Sequence, residues 1–455
     1  MKATKKKRAV AKTMPPKAAV RYDDALPVFT GIVLAHVGKK GLAHNCFLRD
    51  ADGNLTYIIR GKMMGETRDK LSAAAKKNVG PYVTDNPVAT PEELFDDQLK
   101  DETRDTFEYV TGRKFEVFVR LVERRIVGQD WVRGIWPPID GAPPIVVFAS
   151  HKGGVGRSTA LLVSAVEFAR RGYSILAIDA DLEAPGLGEM FIPESRSPHF
   201  GALDYFVENG RGTVNAKFLS QMQSRSTLTR GKGKISVVPA VGMRCREFPQ
   251  NVIGKISRAY LEDMPIDGSQ SMTLLEQMRN MVRDLSANRK YDAIFVDARA
   301  GLNETTAATV QGLGAEVLFF GVDTPQTWDG YRYFLAHLAR FKPTDGDNDW
   351  RFRLKMVHAK ALNDPKALAH FRDNSFELFA EHLYDEINES EEADGGSFGF
   401  DVDDPTAPHY AWPVMMDPKY YEFDPVAHPE QILPDEYHTS FGEFVSNLAD
   451  RLGLK

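Results

Sequence analysis

Short apolar segments recur along the second two-thirds of the chain, and each is bounded by polar or glycine-rich residues. Between them, apolar residues recur every three or four positions, which is typical of helices with one buried face. We therefore predict strands at 145–149, 174–178, 235–239, 293–297, 316–322, 353–357 and 412–416, and a last helix at 440–452. Strands that alternate with helices in this way indicate a doubly wound, mostly parallel sheet.

The first third of the chain has a different pattern of apolar and polar residues. Its segments are shorter, and one of them alternates in the manner of a half-buried strand. The expected elements are a strand or short buried helix at 29–37, a hairpin formed by 46–48 and 55–59, helices at 67–77 and 90–111, and a strand at 115–121. This mixture predicts a small α/β accessory domain.

Composition divides the chain into three parts. Residues 1–20 contain seven lysines and arginines and almost no large apolar side chain, which predicts a disordered basic arm. Residues 21–140 form the predicted accessory domain, and residues 141–455 form the main domain, with an acidic insertion at about 381–410. The basic arm fits either nucleic-acid binding through counterion release or a solvated tail.

The overall composition excludes several classes of protein. With 43% hydrophobic and 26% charged residues, the 455-residue chain is typical of soluble globular proteins. It lacks an apolar run of the ~20 residues that a membrane span needs, and its start does not resemble a secretory signal, so we expect a cytoplasmic protein. A net charge of −6 argues against a protein that coats DNA. The two cysteines, Cys46 and Cys245, do not have the spacing of a disulfide framework, a zinc site or an iron–sulfur site.

A glycine-rich loop follows the strand at 145–149 and leads into a helix. It reads Ser150-His151-Lys152-Gly153-Gly154-Val155-Gly156-Arg157-Ser158-Thr159. Glycines allow successive N–H groups to turn inward, the helix N-terminus adds partial positive charge, and the hydroxyl of Ser158 can ligate Mg²⁺. The loop therefore predicts a polyphosphate site, against the alternative of a plain connection between a strand and a helix.

Aspartates follow two of the predicted strands. Asp179 and Asp181 come after the strand at 174–178, and Asp297 ends the strand at 293–297. Carboxylates at the C-terminal edge of a parallel sheet, beside a phosphate loop, lie where a metal and an attacking water are needed. The alternative for any one of these residues is a capping aspartate in a strand-to-loop turn.

Together, the loop and the aspartates resemble the deviant Walker A family of P-loop ATPases, the ParA/MinD-like group of the SIMIBI class, in a variant with a KGGVGR loop. The resemblance covers about residues 143–363. It implies ATP and Mg²⁺ as cofactors and a homodimer that encloses ATP. The residues expected to bind the nucleotide are Lys152, Gly153, Gly154, Val155, Gly156, Arg157, Ser158 and Thr159.

The resemblance also implies a role for several of these side chains. Lys152 would reach the phosphates held by the partner subunit and act in catalysis. Asp181 would position or activate the attacking water. Asp179 and Asp297, with Ser158, would hold the magnesium ion.

Several positions depart from the family pattern. Arg157 stands where a lysine is usual; it can fork onto two phosphate oxygens and still act in catalysis, but it is bulkier than lysine, so the rate of hydrolysis is an open question. His151 replaces the first glycine of the ordinary loop. Arg299, two residues before a glycine expected to sense the γ-phosphate (Gly301), either stabilises phosphate charge or forms a salt bridge. Asn363 is either displaced from the adenine-reading position or unrelated to it.

We therefore expect a slow, Mg²⁺-dependent ATP hydrolase that acts as a dimerising switch. Its nucleotide state would control binding to a partner protein, a nucleic acid or a surface. The alternatives are a nucleotide-binding scaffold with little hydrolysis, a ParA-like DNA partition protein that uses the basic arm, and a small-molecule ligase of the same class. The last helix carries few lysines, so we expect it to pack on the sheet rather than to bind membrane.

Overall fold

The computed structural model describes residues 19–229, 231–262, 271–287, 290–344, 348–385 and 398–454, apart from the side chain of Arg104. Most of the predicted basic arm, residues 1–18, and residues 386–397 of the predicted acidic insertion lie outside the described residues. The chain forms two compact units, residues 1–133 with 340–342, and residues 134–339 with 343–455.

The first unit is a mixed five-stranded sheet with helices packed against one face. Its elements are α1 (Tyr22–His44), β1 (Cys46–Arg49), β2 (Leu55–Ile58), α2 (Gly65–Val79), β3 (Val88–Ala89), β4 (Thr106–Thr111) and β5 (Glu116–Glu123). The strand order is β3-β2-β1-β5-β4, in which β1 and β5 are parallel and β4 and β5 form an antiparallel hairpin. Phe29 of α1 and Leu71 of α2 are buried in one core with Phe47 and Leu121 of the sheet.

Of the predicted elements of this unit, one was left open between two alternatives and another is wrong. Residues 29–37 lie within α1, so the helical alternative is the one found. The helix predicted at 90–111 is wrong, because this range holds short 3₁₀ turns and the edge strand β4. The carboxylates of Asp96 and Asp101 accept hydrogen bonds from backbone amides two residues later. Such local bonds favour turns over a continuous helix, although acidic residues are also typical of a helix N-terminus.

The second unit is an eight-stranded sheet with helices on both faces. Its elements are β6 (Ile145–Ser150), α3 (Arg157–Arg171), β7 (Ser174–Asp179), α4 (Leu187–Phe191), α5 (Ala202–Glu208), α6 (Ala216–Gln221), β8 (Ser224–Arg225), β9 (Lys234–Val238), α7 (Met243–Glu247), α8 (Val252–Ala259), α9 (Leu274–Ala287), β10 (Ala293–Asp297), α10 (Glu304–Val310), β11 (Glu316–Gly321), α11 (Pro325–Leu338), β12 (Leu354–Ala361), α12 (Pro365–His382), β13 (Trp412–Met415) and α13 (Pro434–Leu452). The order is β13-β12-β11-β6-β10-β7-β9-β8, and every pair except β8 with β9 is parallel. This confirms the predicted doubly wound, mostly parallel sheet.

The strand order brings the predicted motifs to one edge of the sheet. β10 lies between β6 and β7, and its last residue, Asp297, is in register with Phe148 on one side and Asp179 on the other. The carboxyl ends of the three strands are therefore neighbours. In open α/β sheets, ligands bind outside these ends, where the direction of strand addition reverses.

The last helix, α13, packs on this sheet. It begins at Pro434 rather than near Ser440, since proline fits the first helical position and Asp435 and Glu436 suit the first turn. Phe444 is fully buried, and its ring lies 5.7 Å from that of Phe320, centroid to centroid. The predicted packing is therefore found. In the described part of the chain, no helix has the length and apolar character required to cross a membrane.

Replacing Phe444 by alanine is expected to lower the free energy of unfolding of the second unit by about 3–5 kcal/mol, because the ring leaves a cavity between helix and sheet. Urea unfolding of the full chain measures the change. Glu443→Ala, at the neighbouring exposed position, is the control and should change stability by less than about 0.5 kcal/mol. Equal values for the two variants would contradict the packing of α13.

Candidate functional site

The loop between β6 and α3 forms an open cradle of backbone groups. Gly154 and Gly156 have φ of +73° and +90°, in the left-handed region that favours glycine. A Cβ added at Gly153, Gly154 or Gly156 would meet no other atom within 4 Å, so the space in front of the loop is open. Within the described chain, the amides of residues 156–159 donate no hydrogen bond. Free amides at the start of the long helix α3 suit an anion.

Arg157 and Ser158, at the start of α3, both contact Asp297 at the end of β10. The Arg157 Nε donates to Asp297 Oδ1 at 2.5 Å, and the Ser158 hydroxyl donates to Asp297 Oδ2 at 2.5 Å. Arg157 also donates to the hydroxyl of Ser150 at 3.2 Å. The guanidinium of Arg157 thus contacts the buried carboxylate of Asp297, and its expected contact with phosphate stays a prediction.

Asp179 is buried at the end of β7, in register with Asp297 on the neighbouring strand β10. Its Oδ1 accepts from the amide of Asp181 at 3.0 Å, and its Oδ2 accepts from the amides of Gly186 and Leu187 at 3.2 and 3.1 Å. Burial, together with the nearby charge of Asp297, raises the pKa of Asp179 to about 7. Asp179 therefore fixes the loop that follows β7, and its predicted place in the magnesium shell stays a prediction.

Asp181 lies in the same loop, between two arginines. Its Oδ2 is 3.9 Å from Arg157 Nη2, and its Oδ1 is 3.9 Å from Arg299 Nε. The amide of Ala184 donates to Oδ1 at 3.1 Å. Burial raises the pKa of Asp181, while the Ala184 amide and the two guanidinium groups oppose the rise. The Ala184 amide thus fixes the carboxylate, which forms long ion pairs with both arginines but accepts a hydrogen bond from neither.

Arg299, in the loop after β10, forms the salt bridge that was one of its two expected roles. Its Nη1 pairs with the carboxylate of Glu183, which also accepts a hydrogen bond from the Tyr260 hydroxyl at 2.9 Å. The pair of Arg299 with Glu183 therefore connects the loop after β10 with the loop after β7. Tyr260, which follows the last residue of α8, connects that helix to the same pair through Glu183. The other expected role of Arg299, stabilising phosphate charge, stays a prediction.

Other predicted residues lie at the mouth of the loop. The side chain of Lys152 is exposed and makes no hydrogen bond or ion pair with the described residues, so it is accessible to a second molecule. Val155 is buried beneath the loop, and Thr159 lies in the first turn of α3. The ring of His151 packs against Gly330 of α11, where a Cβ would come within 2.1 Å of it.

The sequence indicated no role for Ser150, Glu183 or Tyr260. The structure places Ser150 in contact with Arg157, and Glu183 and Tyr260 in contact with Arg299 or with each other. Ser150 could have been inferred, because it is the last residue of β6 and faces the helix start. Tyr260 lies in a segment without a recognisable motif, so no local signal was present. Asn363 follows β12, which runs to Ala361 rather than ending at 357, and its side chain is exposed.

The donor set fits a magnesium-bound nucleotide. A hydroxyl and a carboxylate oxygen, from Ser158 and Asp297, converge beside the free amides of the cradle, and both are ligands that Mg²⁺ prefers. No set of three or more His, Cys, Asp or Glu side chains among the described residues is arranged to hold a metal ion.

A cavity of about 370 Å³ adjoins Asp179 in the second unit. Apolar Ile192 and Val426 contribute to its walls, as do Glu194 and Arg246, whose side chains pair at 2.8 Å. Its volume is in the range of small-molecule sites. The sequence did not indicate this cavity, which gives the ligase alternative a place for a substrate.

Comparison with protein families identifies the region that contains this cluster. Residues 146–319 match the family model described as the CobQ/CobB/MinD/ParA nucleotide binding domain. The matched range includes the loop, Asp179, Asp181, Asp297 and Arg299.

Curated relatives match about a third of the chain. An uncharacterized ATP-binding protein of Methanocaldococcus jannaschii is 43% identical over 163 residues, which are 36% of this chain and 47% of the relative. A cytosolic Fe-S cluster assembly factor of Candida glabrata is 29% identical over 143 residues, 30% of this chain and 48% of the relative. The chain spans about half the length of the curated relatives it matches.

Two solved structures resemble the fold remotely. pNOB8 ParA bound to nonspecific DNA is 16% identical, with a TM-score of 0.41, over 68% of this chain and 99% of that one. The MinD cell division protein of Aquifex aeolicus is also 16% identical, with a TM-score of 0.39, over 68% of this chain and 97% of that one.

Proposed function

We propose that this chain, whose residues 146–319 are a nucleotide-binding domain of the CobQ/CobB/MinD/ParA family, is a Mg²⁺-ATP-dependent switch that dimerises around ATP and hydrolyses it slowly. The proposal rests on the convergence of Arg157, Ser158, Asp181 and Asp297 beside an open cradle of backbone amides. In this proposal, residues 21–140 form the accessory domain of the switch and residues 141–455 form its ATPase domain.

The nucleotide phosphates would occupy the cradle, with the amides of residues 156–159 as donors. Bound Mg²⁺ would supply positive charge to the transferring phosphoryl group. Ser158 and Asp297 would hold that ion. Because Arg157 now contacts Asp297, we propose that its guanidinium exchanges this carboxylate for phosphate oxygens when the nucleotide binds.

Asp181 is the proposed proton acceptor for the attacking water. Its backbone contact to Ala184 fixes the carboxylate, and its raised pKa makes it a better base than an exposed aspartate. Arg299 would keep this loop next to the loop after β10 through Glu183. The output of the switch would be a change in affinity for a partner protein or nucleic acid.

Replacing Lys152 by alanine is expected to abolish ATP-dependent dimerisation, because the exposed lysine would cross to the phosphates of the partner subunit. Light scattering with Mg²⁺ and ATP measures the mass of the wild type and the variant. Lys232→Ala, which removes an exposed lysine far along the chain from the loop, is the control and should dimerise normally. A Lys152→Ala protein that still doubles its mass with ATP would contradict the proposed role.

Phosphate release, measured on the same wild-type sample, distinguishes the switch from the scaffold alternative. A switch releases phosphate after it dimerises, whereas a scaffold dimerises and retains intact ATP. A small-molecule ligase, which the cavity beside Asp179 favours as a second candidate, would release phosphate only when its substrate is added. Wild-type protein assayed with Mg²⁺ and ATP alone therefore distinguishes the three.

The cysteines of this chain do not fit iron–sulfur cluster binding, although one similar protein is an Fe-S cluster assembly factor. Clusters of this kind are held by cysteine thiolates. Cys46 and Cys245 are both buried and belong to different compact units. Burial raises the pKa of Cys46 to about 12, which favours the neutral thiol. The donor set does not fit a cluster.

A further inference from the structure

The cavity beside Asp179 can hold a ligand of its own. It encloses about 370 Å³ at the carboxyl ends of β7 and β9. Its walls come from the loop after β7, from α4 and the turn that follows it, from α7, and from residues 424–427 ahead of α13. All of these segments belong to the second unit. A cavity of this volume accommodates a small organic molecule.

Part of the cavity wall is apolar and is packed against the core of the unit. Ile192 is buried in that core, and Val426 packs against it. Pro239 lies so close to Gly188 that a Cβ added at this glycine would come within 2.6 Å of the proline ring. The methylene groups of a ligand would therefore be removed from water against a surface that is already formed.

The ionisable side chains of the cavity are mostly acidic. Among the described residues that line it, Arg246 is the one base, and the carboxylates are those of Asp179, Glu189, Glu194 and Asp424. Arg246 pairs with Glu189 at 2.9 Å and with Glu194 at 2.8 Å, so two carboxylates share one guanidinium. The excess of negative charge favours a cation over an anion.

The carboxylates are spread around the cavity rather than gathered at one point. Glu189 lies in α4, Glu194 in the turn after it, and Asp424 in the segment before α13. In the described part of the chain, no three acidic, histidine or cysteine side chains are placed to hold one metal ion. Asp424 Oδ1 accepts from the amide of Ala427 at 3.1 Å, which leaves Oδ2 for a ligand. A ligand with positive charges separated along its length suits this arrangement better than a single ion.

We propose that this cavity binds a linear aliphatic polyamine. The ammonium groups would donate to oxygens of Glu189, Glu194 and Asp424, and the methylene chain would lie against the apolar part of the wall. Hydrogen bonds between ammonium groups and carboxylates are stronger than those between neutral groups. The binding does not depend on ATP or on its hydrolysis, so it stands apart from the proposed switch.

Isothermal titration of the full chain with spermidine tests the proposal, in the absence of ATP because its phosphates would bind the amine in solution. Asp424→Asn is expected to weaken binding about two- to fivefold, the usual effect of an exposed ion pair. Arg246→Gln should instead tighten it, because Glu189 and Glu194 lose the cation that now competes for them. Glu422→Gln removes an exposed carboxylate of the same segment outside the cavity, and should bind like the wild type.

Two further measurements separate the cavity from a general attraction of amines to an acidic protein. Ala427→Trp keeps every charge but adds a large ring to the cavity wall, so spermidine binding should be lost. Glutarate, which carries negative charges on a similar chain, should not bind. Binding of glutarate but not of spermidine would show that Arg246 selects an anion, and would overturn the proposal. Equal spermidine affinity in the wild type, Asp424→Asn and Ala427→Trp would indicate adventitious binding elsewhere and would also overturn it, as would no binding at all.

Discussion

Replacing Asp181 by alanine is expected to lower the rate of ATP hydrolysis by about 10²–10⁴-fold, the usual contribution of a positioned general base. ATP-dependent dimerisation should persist, because the cradle, Ser158 and Asp297 are unchanged. The variant would then accumulate as an ATP-bound dimer. Single-turnover phosphate release measures the rate, and light scattering measures the mass of the same sample.

Asp329→Ala is the control for this prediction, because it removes an exposed carboxylate of the second unit. It should hydrolyse ATP at the wild-type rate. If Asp181→Ala hydrolyses ATP normally, another group must activate the water. If the variant no longer binds ATP, Asp181 belongs to the binding site rather than to the chemistry.

Replacing Arg157 by alanine is expected to weaken ATP binding by about 10²–10⁴-fold, since two hydrogen bonds to charged phosphate oxygens are worth about 1.5–3 kcal/mol each. Without ATP, the variant should also lose about 3–5 kcal/mol of stability, because the buried carboxylate of Asp297 loses its cationic partner and keeps the Ser158 hydroxyl. Isothermal titration measures the affinity, and urea unfolding measures the stability. Arg332→Ala, at an exposed ion pair, is the control for both.

Arg157→Lys distinguishes the charge of this residue from its shape. Lysine keeps a positive charge but loses the fork that now contacts both Asp297 and Ser150. We expect it to retain most of the ATP affinity and to lose part of the stability of the nucleotide-free state. Normal ATP affinity in Arg157→Ala would show that the guanidinium does not reach the phosphates.

The sequence predicted at which edge of the sheet the site lies. It did not predict most of the side-chain contacts within the site. Strands of parallel sheets are nearly continuous apolar runs, so the ends of β6, β7 and β10 are visible as changes from apolar to polar residues. Asp179 and Asp297 could therefore be placed near the loop. The pairing of Arg157 with Asp297 could not, because the two residues are 140 positions apart and the resemblance assigned Arg157 to phosphate rather than to a carboxylate.

Long-range contacts account for the other differences. The link from Arg299 through Glu183 to Tyr260 joins residues from three separate segments, and the segment of Tyr260 carries no motif that would indicate the contact. β4 was missed for a similar reason. Its alternation is short, and only pairing with β5 stabilises it as a strand, whereas the acidic residues before it are also typical of a helix start.

The insertion of β10 between β6 and β7 has a consequence for synthesis of the protein. Arg157 and Asp297 are 140 residues apart in the chain, yet they contact each other directly. A growing polypeptide that has completed β6, α3 and β7 would still lack the middle strand that joins them. The ribosome must therefore extend the chain beyond Asp297 before Arg157 and Ser158 at the cradle can gain the carboxylate that both contact.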